Sequence, residues 1–449
     1  MNLPDEYMQN MQILLKDDYE KYINSLQQEP VSGIRLNKIK TDETILSEFE
    51  IVKKVPYTNN GYISKTEKIG KHPYHIAGLV YSQEPSSMMP VCASKLEEEN
   101  LHDIKVLDLC AAPGGKTGQI AEILKGQGVI VSNEIETKRA KILQSNVERM
   151  GYTNVIITNN TPEKLAQELP TMFDYIFVDA PCGGEGMFRK DPSTILEWKQ
   201  ERLESNSRRQ KEILTEANKM LKPNGKIVYS TCTFSKVEDE DVCNWFAKIY
   251  DYSFESVPNE VENNTTFLDN KSCRRFYPFL SDGEGQFVCV MKKNDGEFVQ
   301  KRPYKTYKMG KSELGILDAF LKTNFNLDFD LKYAKIGGNY CIINENLQKM
   351  LDYMQKLAII NAGVTVGSIE KNRLVVHHNV FTALGKLSKQ KINFTLDDLS
   401  LQKYLHGEEL QNESLKNGYG VVCVNGYPIG GVKVIDSRLK NMFPKGLRL

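Results

Sequence analysis

Between Lys105 and about Lys293, short apolar runs of strand length alternate with stretches of helical spacing. That alternation restricts the fold more than any other feature of the chain. Runs rich in β-branched and aromatic residues predict strands at Val106–Leu109, Val129–Asn133, Val155–Thr158, Tyr175–Val178 and Ile227–Thr231. Helices are predicted over Lys116–Leu124, Lys138–Met150, Ser205–Leu221 and Glu238–Ile249, and Phe287–Met291 adds a late strand. Strands separated by helices pair in parallel, with helices covering both faces, so the expected class is α/β. In such a sheet, ligands bind at the carboxyl ends of the strands.

The flanks follow different rules. With 449 residues the chain is long enough for about three domains. Residues 1–100 suggest a small N-terminal α+β domain, with a helix over Leu14–Leu26 and a strand over Val31–Leu36. The alternating block is assigned to 101–295. Residues 296–312 suggest a linker, because Lys301, Arg302, Lys305, Lys308 and Lys311 stand there without an acid between them. Residues 313–384 suggest a second small α+β unit. Residues 385–449 suggest a β-rich module with strands at Tyr419–Val424 and Ile429–Val434 and a basic tail carrying Arg438, Lys440, Lys445 and Arg448.

Charge excludes one simple reading. Lys+Arg 58 balances Asp+Glu 58, so any nucleic-acid site must be a local patch. No run approaches the ~18 apolar residues of a membrane span. The N-terminus has no signal-peptide pattern. Nine cysteines with no secretory signal suit a reducing cytoplasm. None is paired as C-x-x-C and none clusters with histidine, so no metal site is expected.

The first expected strand runs into Cys110-Ala111-Ala112-Pro113-Gly114-Gly115-Lys116, a tight turn opening a helix. Glycines let the backbone approach a ligand closely, and a helix N-terminus offers free N–H groups. A phosphate loop of the Walker type needs a glycine where Cys110 stands. A dinucleotide fingerprint needs three glycines in G-x-G-x-x-G, which the loop lacks. S-adenosylmethionine, with a carboxylate, a ribose and an adenine, remains. Glu134 ends the second strand twenty residues after Gly114, where a carboxylate can accept from both ribose hydroxyls.

Two cysteines close two further strands, Cys182 in Asp179-Ala180-Pro181-Cys182 and Cys232 in Thr231-Cys232-Thr233. Small buried hydrophobes would have the same appearance, but their position at strand ends beside a cofactor loop favours covalent chemistry. Carbon 5 of cytosine is too weak a nucleophile to accept a methyl group. A thiolate adding to carbon 6 makes it an enamine. One thiol then serves as nucleophile and the second as acid/base in release, while Asp179 is the natural acid beside ring N3. A lysine such as Lys116 or a helix N-terminus close to a thiol lowers its pKa, an effect that sequence alone does not show. Chemistry alone does not say which cysteine attacks.

Ala111–Lys116, Asp179–Cys182 and Ser230–Thr233, in that order, resemble the Nop/Sun family of RNA cytosine-5 methyltransferases. Arg139, Asn146, Arg149 and Gly151 after the second strand match as well, as does Gly283-Glu284-Gly285-Gln286-Phe287. Over its whole length the chain is similar to the RsmF-like bacterial branch, which methylates small-subunit ribosomal RNA and carries a C-terminal PUA-like module. The resemblance implies a Rossmann-like class I methyltransferase domain with α+β and β RNA-binding modules around it. It implies Cys232 as nucleophile and Cys182 as the release thiol, with Lys116 and Asp179 completing the catalytic set. It places Cys110–Lys116, Glu134, Arg139 and Asp179 beside the cofactor and base. Where the family often has an aspartate contacting adenine, this chain has Asn159-Asn160-Thr161-Pro162, so Thr161 or Asn160 takes that place.

The implied partner is ribosomal RNA or the small subunit, 16S rRNA in particular, met by a cytoplasmic monomer. The target base must be unpaired or flipped. Candidate RNA surfaces are Arg35 and Asn37, the 301–311 segment and the C-terminal tail, with Tyr404, Tyr427 and Phe443 available for stacking. The competing readings are a transfer-RNA cytosine-5 methyltransferase, an amino-methyltransferase needing no thiol, and a catalytically silent ribosome-assembly factor.

Overall fold

The computed structural model describes residues 2–299, 301–304 and 309–449. A nine-stranded sheet organises the molecule. From edge to edge it runs Tyr252–Phe254, Gln286–Lys293, Leu221–Thr231, Phe173–Asp179, Lys105–Asp108, Val129–Asn133, Val155–Thr158 and Ile359–Ala362, and Cys273–Phe276 also pairs with Gln286–Lys293. The five strands from Leu221–Thr231 to Val155–Thr158 are parallel. Their side chains alternate between two cores: Val106, Ile130 and Phe177 pack on one face, Leu107, Val131 and Ile176 on the other. Burial on both faces explains why these strands read as continuous apolar runs.

Strand order sets the ligand crevice. From Lys105–Asp108 the chain steps outward to Val129–Asn133 and Val155–Thr158. It then crosses back to Phe173–Asp179 and Leu221–Thr231 on the other side. The reversal lies between Lys105–Asp108 and Phe173–Asp179, whose carboxyl ends lead into the glycine loop and the Pro-Cys loop. An open α/β sheet binds its ligand at such a point.

Three smaller sheets flank this one. The N-terminal sheet orders Ile51–Lys54, Gly61–Ser64, Gly33–Leu36 and Val80–Ser82. A second joins Lys332–Ile336, Asn339–Ile343, Val364–Glu370 and Arg373–Val376. The C-terminal sheet orders Lys391–Phe394, Gly418–Val424, Tyr427–Ile435, Arg438–Asn441 and Leu410–Gln411. The first and last modules share one core, in which Ile34 and Tyr74 join the same cluster as Tyr404, Val432 and Phe443. Among the described residues no helix is long and apolar enough to cross a membrane.

Several expectations are corrected here. Leu14–Leu26 is not one helix: Asp5–Leu15 and Tyr19–Ser25 are separated by a 3-10 turn at Lys16–Asp18, because Lys16 adopts φ +49°. Arg35 and Asn37 are not an RNA surface. Arg35 is 0% exposed and pairs with Glu122 on helix Gly115–Leu124 at 3.0 Å. Asn37 is buried and donates to Gly78 O and Met150 O. Both dock the N-terminal module onto the central one, where phosphate cannot reach them. Tyr404 and Phe443 are core residues, and Tyr427 takes a hydrogen bond from Thr41.

The segment after the alternating block is attached rather than extended. Lys301 pairs with Glu168 at 2.6 Å, Tyr304 donates to the same carboxylate, and Val299 exchanges hydrogen bonds with Thr171. Lys305 and Lys308 lie outside the described residues, and Lys311 begins a helix reaching Asn324. The 313–384 segment lends strand Ile359–Ala362 to the edge of the central sheet. Its Asn379 and Thr382 cap the C-terminal end of helix Thr137–Met150 through Glu148 O.

Candidate active site

Register decides how the two cysteine motifs meet. Phe173–Asp179 and Leu221–Thr231 are parallel neighbours in which Asp179 faces Ser230. Both chains leave the sheet at the same edge, and Ala180 N–H donates to Ser230 O. Cys182 and Cys232, fifty residues apart in sequence, thus bring their sulfurs to 3.3 Å. Both are free and half-buried. The hydrogen bond to Cys232, burial and the nearby Glu238 together push the Cys182 thiol well up.

The glycine loop lies across the neighbouring strand end. Ala111 N–H donates to Asn133 O, and the Ala112–Pro113 peptide is cis. Gly114 has φ +110°, and a Cβ there would meet Leu143 at 3.0 Å. Only glycine holds that conformation cheaply. Helix Gly115–Leu124 starts at the turn and carries Lys116. Arg139 donates to Ala112 O at 2.8 Å and Asn146 to Pro113 O at 2.9 Å, so helix Thr137–Met150 braces the loop from behind. Burial raises the Cys110 thiol at the loop's start, with Asp108 adding to the effect.

Lys116 and Asp179 join the two halves. The ammonium of Lys116 lies 2.7 Å from Asp179 Oδ2. Ser230 donates to Asp179 Oδ1 at 2.7 Å, and Gln286 approaches the same oxygen at 3.3 Å. Asp179 was expected as the acid beside the base ring. Three donors, Lys116, Ser230 and Gln286, face its carboxyl oxygens.

The remaining expected cofactor residues are placed as follows. Glu134 is buried at the end of Val129–Asn133, takes the Glu136 N–H, and lies 3.5 Å from Arg139. Thr161 caps helix Pro162–Glu168 through Lys164 N–H. Asn160 uses both ends of its amide on Ala358, donating to its carbonyl and accepting from its N–H, each at 3.0 Å. The two candidate adenine contacts thus both have local partners.

Sequence reasoning missed several residues. Ser230 and Gln286 sit inside motifs that were noted, yet their role shows only once register aligns them with Asp179. Glu284, in the same Gly-Glu-Gly-Gln run, pairs with Arg189 at 2.9 Å and accepts from Val31 N–H, tying the N-terminal module to the site. Glu238 lies beneath the Pro-Cys turn with nothing to single it out from the acids that follow it. Cys243, Cys273 and Cys289, far apart in the sequence, gather their sulfurs within 4.8 Å of one another in the core. Their burial fits apolar packing.

Residues 93–292 match the family model described as 16S rRNA methyltransferase RsmB/F. Residues 3–85 match the N-terminal domain of 16S rRNA methyltransferase RsmF, and residues 391–449 match the methyltransferase RsmF PUA domain. The chain is 30% identical to a ribosomal RNA small subunit methyltransferase F of Vibrio parahaemolyticus, over 99% of this chain and 97% of the relative. It is 31% identical to the protein of that description in Shewanella amazonensis, over 88% and 85%. Among solved structures, a methyltransferase homolog protein from Pyrococcus horikoshii aligns with TM-score 0.54 and 25% identity, covering 65% of this chain and all of that one. NSun6 from the same organism aligns with TM-score 0.58 and 20% identity over 65% and 99%, a likeness of fold.

Proposed function

The chain belongs to the ribosomal RNA small subunit methyltransferase F family, and from that premise we propose that it methylates carbon 5 of a cytosine in 16S rRNA through a covalent adduct on Cys232. The observation that carries this reading is the pair of sulfurs 3.3 Å apart, at the strand ends beside Lys116 and Asp179. An amino-methyltransferase needs no thiol at that place.

The residues around the glycine loop fit S-adenosylmethionine. The loop presents the N-terminus of helix Gly115–Leu124, Glu134 offers a buried carboxylate, and buried Asp108 Oδ1 has no hydrogen-bond partner among the described residues. When bound, the cofactor supplies an electrophilic methyl group. Cys232 adds to carbon 6 of the cytosine, so the electrons of the 5,6 double bond become available at carbon 5. Lys116 donates toward the ring as negative charge develops on it, and Asp179 keeps that ammonium in place. Once carbon 5 carries the methyl group, its proton must leave. Cys182, once its own proton has passed to solvent, accepts the C5 proton as general base: the C–H electrons re-form the double bond, the C6–S bond breaks, and Cys232 departs as thiolate. The PUA module, which shares a core with the N-terminal module, is the natural place for further contacts with ribosomal RNA.

Trapping experiments test the assignment. Cys182→Ala should accumulate a protein–RNA adduct on a denaturing gel, whereas Cys232→Ala should form none and leave the rRNA unmethylated by bisulfite sequencing. The reverse pattern, or methylation by Cys232→Ala, would overturn it.

A further inference from the structure

Beneath the two thiols lies a carboxylate that the reaction above does not use. Glu238 is 0% exposed and follows the Thr-Cys-Thr motif by five residues. Its two oxygens each take the Gly183 N–H at 3.1 Å. Gln210, on helix Gln200–Met220, donates at 2.8 Å to Glu238 and at 3.0 Å to Pro181 O. The carboxylate and this amide therefore clasp the Pro181-Cys182-Gly183 turn on both sides of the cysteine. The carboxylate approaches so closely that a Cβ at Gly183 would come within 2.9 Å of Glu238 Oε1. Tyr229 Oη, from the neighbouring strand, fixes the Glu238 backbone by donating to its carbonyl at 2.6 Å.

We propose that Glu238 is a positioning residue for product release: by clasping the Gly183 amide it holds Cys182 against Cys232 and so sets how fast the methylated base is let go. This rests on the reading of Cys182 as the release thiol.

The charge around Glu238 makes the clasp sensitive to pH. Burial first, and then the nearby Glu185, push its carboxyl up to about 7, against hydrogen bonds from Gln210 and Gly183 that lower it. The other titratable groups that interact with it are Cys182, Tyr229 and Asp239. The Asn206 and Gln210 side chains of the facing helix are neutral, and Arg275 is engaged with Glu240 and Asp239. Ionised, the carboxylate accepts all its bonds; protonated, it loses acceptor capacity and the turn loosens.

The test uses the full-length protein, small-subunit rRNA transcribed in vitro and S-adenosylmethionine with a labelled methyl group. Adduct level and release of methylated RNA are followed from about pH 6 to about pH 8.5. In Glu238→Gln, single-turnover methyl transfer should stay within about threefold of wild type while adduct accumulates about tenfold. Wild-type release should rise with pH through about 7; in Glu238→Gln that step should vanish, and in Glu238→Asp it should return. Wild-type adduct level and pH profile in Glu238→Gln would overturn the proposal, as would methyl transfer and release falling together. If Glu238→Gln fails to fold, Gln210→Met decides, with milder adduct accumulation expected and wild-type behaviour overturning the idea. If Cys182→Ala traps no adduct, the reading of the two thiols falls; if it traps one and Glu238→Gln does not, only the present proposal falls.

Discussion

Lys116 Nζ lies 2.7 Å from Asp179 Oδ2, joining the first turn of the glycine-loop helix to the end of a strand on the far side of the sheet's switch point. The two residues come from motifs 63 positions apart, Ala111–Lys116 and Asp179–Cys182. Their contact ties the lysine of the glycine loop to a carboxyl group that Ser230 and Gln286 also hold.

Lys116→Met should therefore lower single-turnover methyl transfer by about 100- to 1,000-fold, the range for loss of a positioned proton donor. Asp179→Asn, which still accepts from Lys116 but carries no charge, should cost less, about tenfold. Transfer of a labelled methyl group to rRNA measures both. Rates for Lys116→Met within about threefold of wild type would remove the lysine from the reaction.

Arg35 is a stability residue. It is fully buried against Glu122, which also takes hydrogen bonds from Asn60 and Tyr152. Arg35→Met leaves that carboxylate uncompensated and should destabilise the fold by about 3–5 kcal/mol. Denaturant unfolding measures the loss. The double variant Arg35→Met/Glu122→Gln should recover part of it, and RNA affinity of the folded protein should be unchanged.

Asp108 gives the fold a defined pH dependence. Burial lifts its carboxyl to about 7 despite the hydrogen bond from Thr117, against about 3.9 when unfolded. Between those values the native state binds the proton more tightly than the unfolded chain does. The stability of the wild type relative to Asp108→Asn should thus be greatest below about pH 4, fall by on the order of a few kcal/mol as pH rises to about 7, and stay level above. Unfolding midpoints of the two proteins across that window check the sign; a rising difference would be the wrong one.

The C-terminal sheet presents Lys433 directly opposite Lys440, both exposed, with Arg438 at the next turn. Like charges placed face to face across a pair of strands repel, and a phosphate lying over them relieves that strain. Lys433→Gln/Lys440→Gln should weaken rRNA binding, lower the slope of log affinity against log salt by about 1–2, and leave the fold as stable or slightly more so. An unchanged salt slope would move the RNA elsewhere.

The strand–helix alternation, the glycine loop and the two Cys motifs were legible because each is a local pattern. Val155–Thr158 reads as a strand from its own residues, and Gly114 reads as a turn because other residues adopt its φ of +110° only at a cost. Arg35 and Asn37 misled for a related reason. A cation or an amide in a short strand looks the same in sequence whether it faces solvent or docks one module onto another, and only packing against Glu122 and Met150 O distinguishes the two. The break at Lys16 likewise carried no helix-breaking residue to mark it.

By itself, then, the sequence determined which segments become strands and helices, which loop can cradle a ligand, and which two cysteines are the candidates for covalent chemistry. Tertiary structure decided which strands are neighbours and in what register. That register sets Asp179 beside Ser230, closes Cys182 on Cys232, brings Glu238 under Gly183 and gathers Cys243, Cys273 and Cys289 in one core. The physical reason is range: φ/ψ preferences and hydrophobic periodicity act over a few residues, whereas pairing between strands fifty residues apart follows from how a whole sheet buries both of its faces.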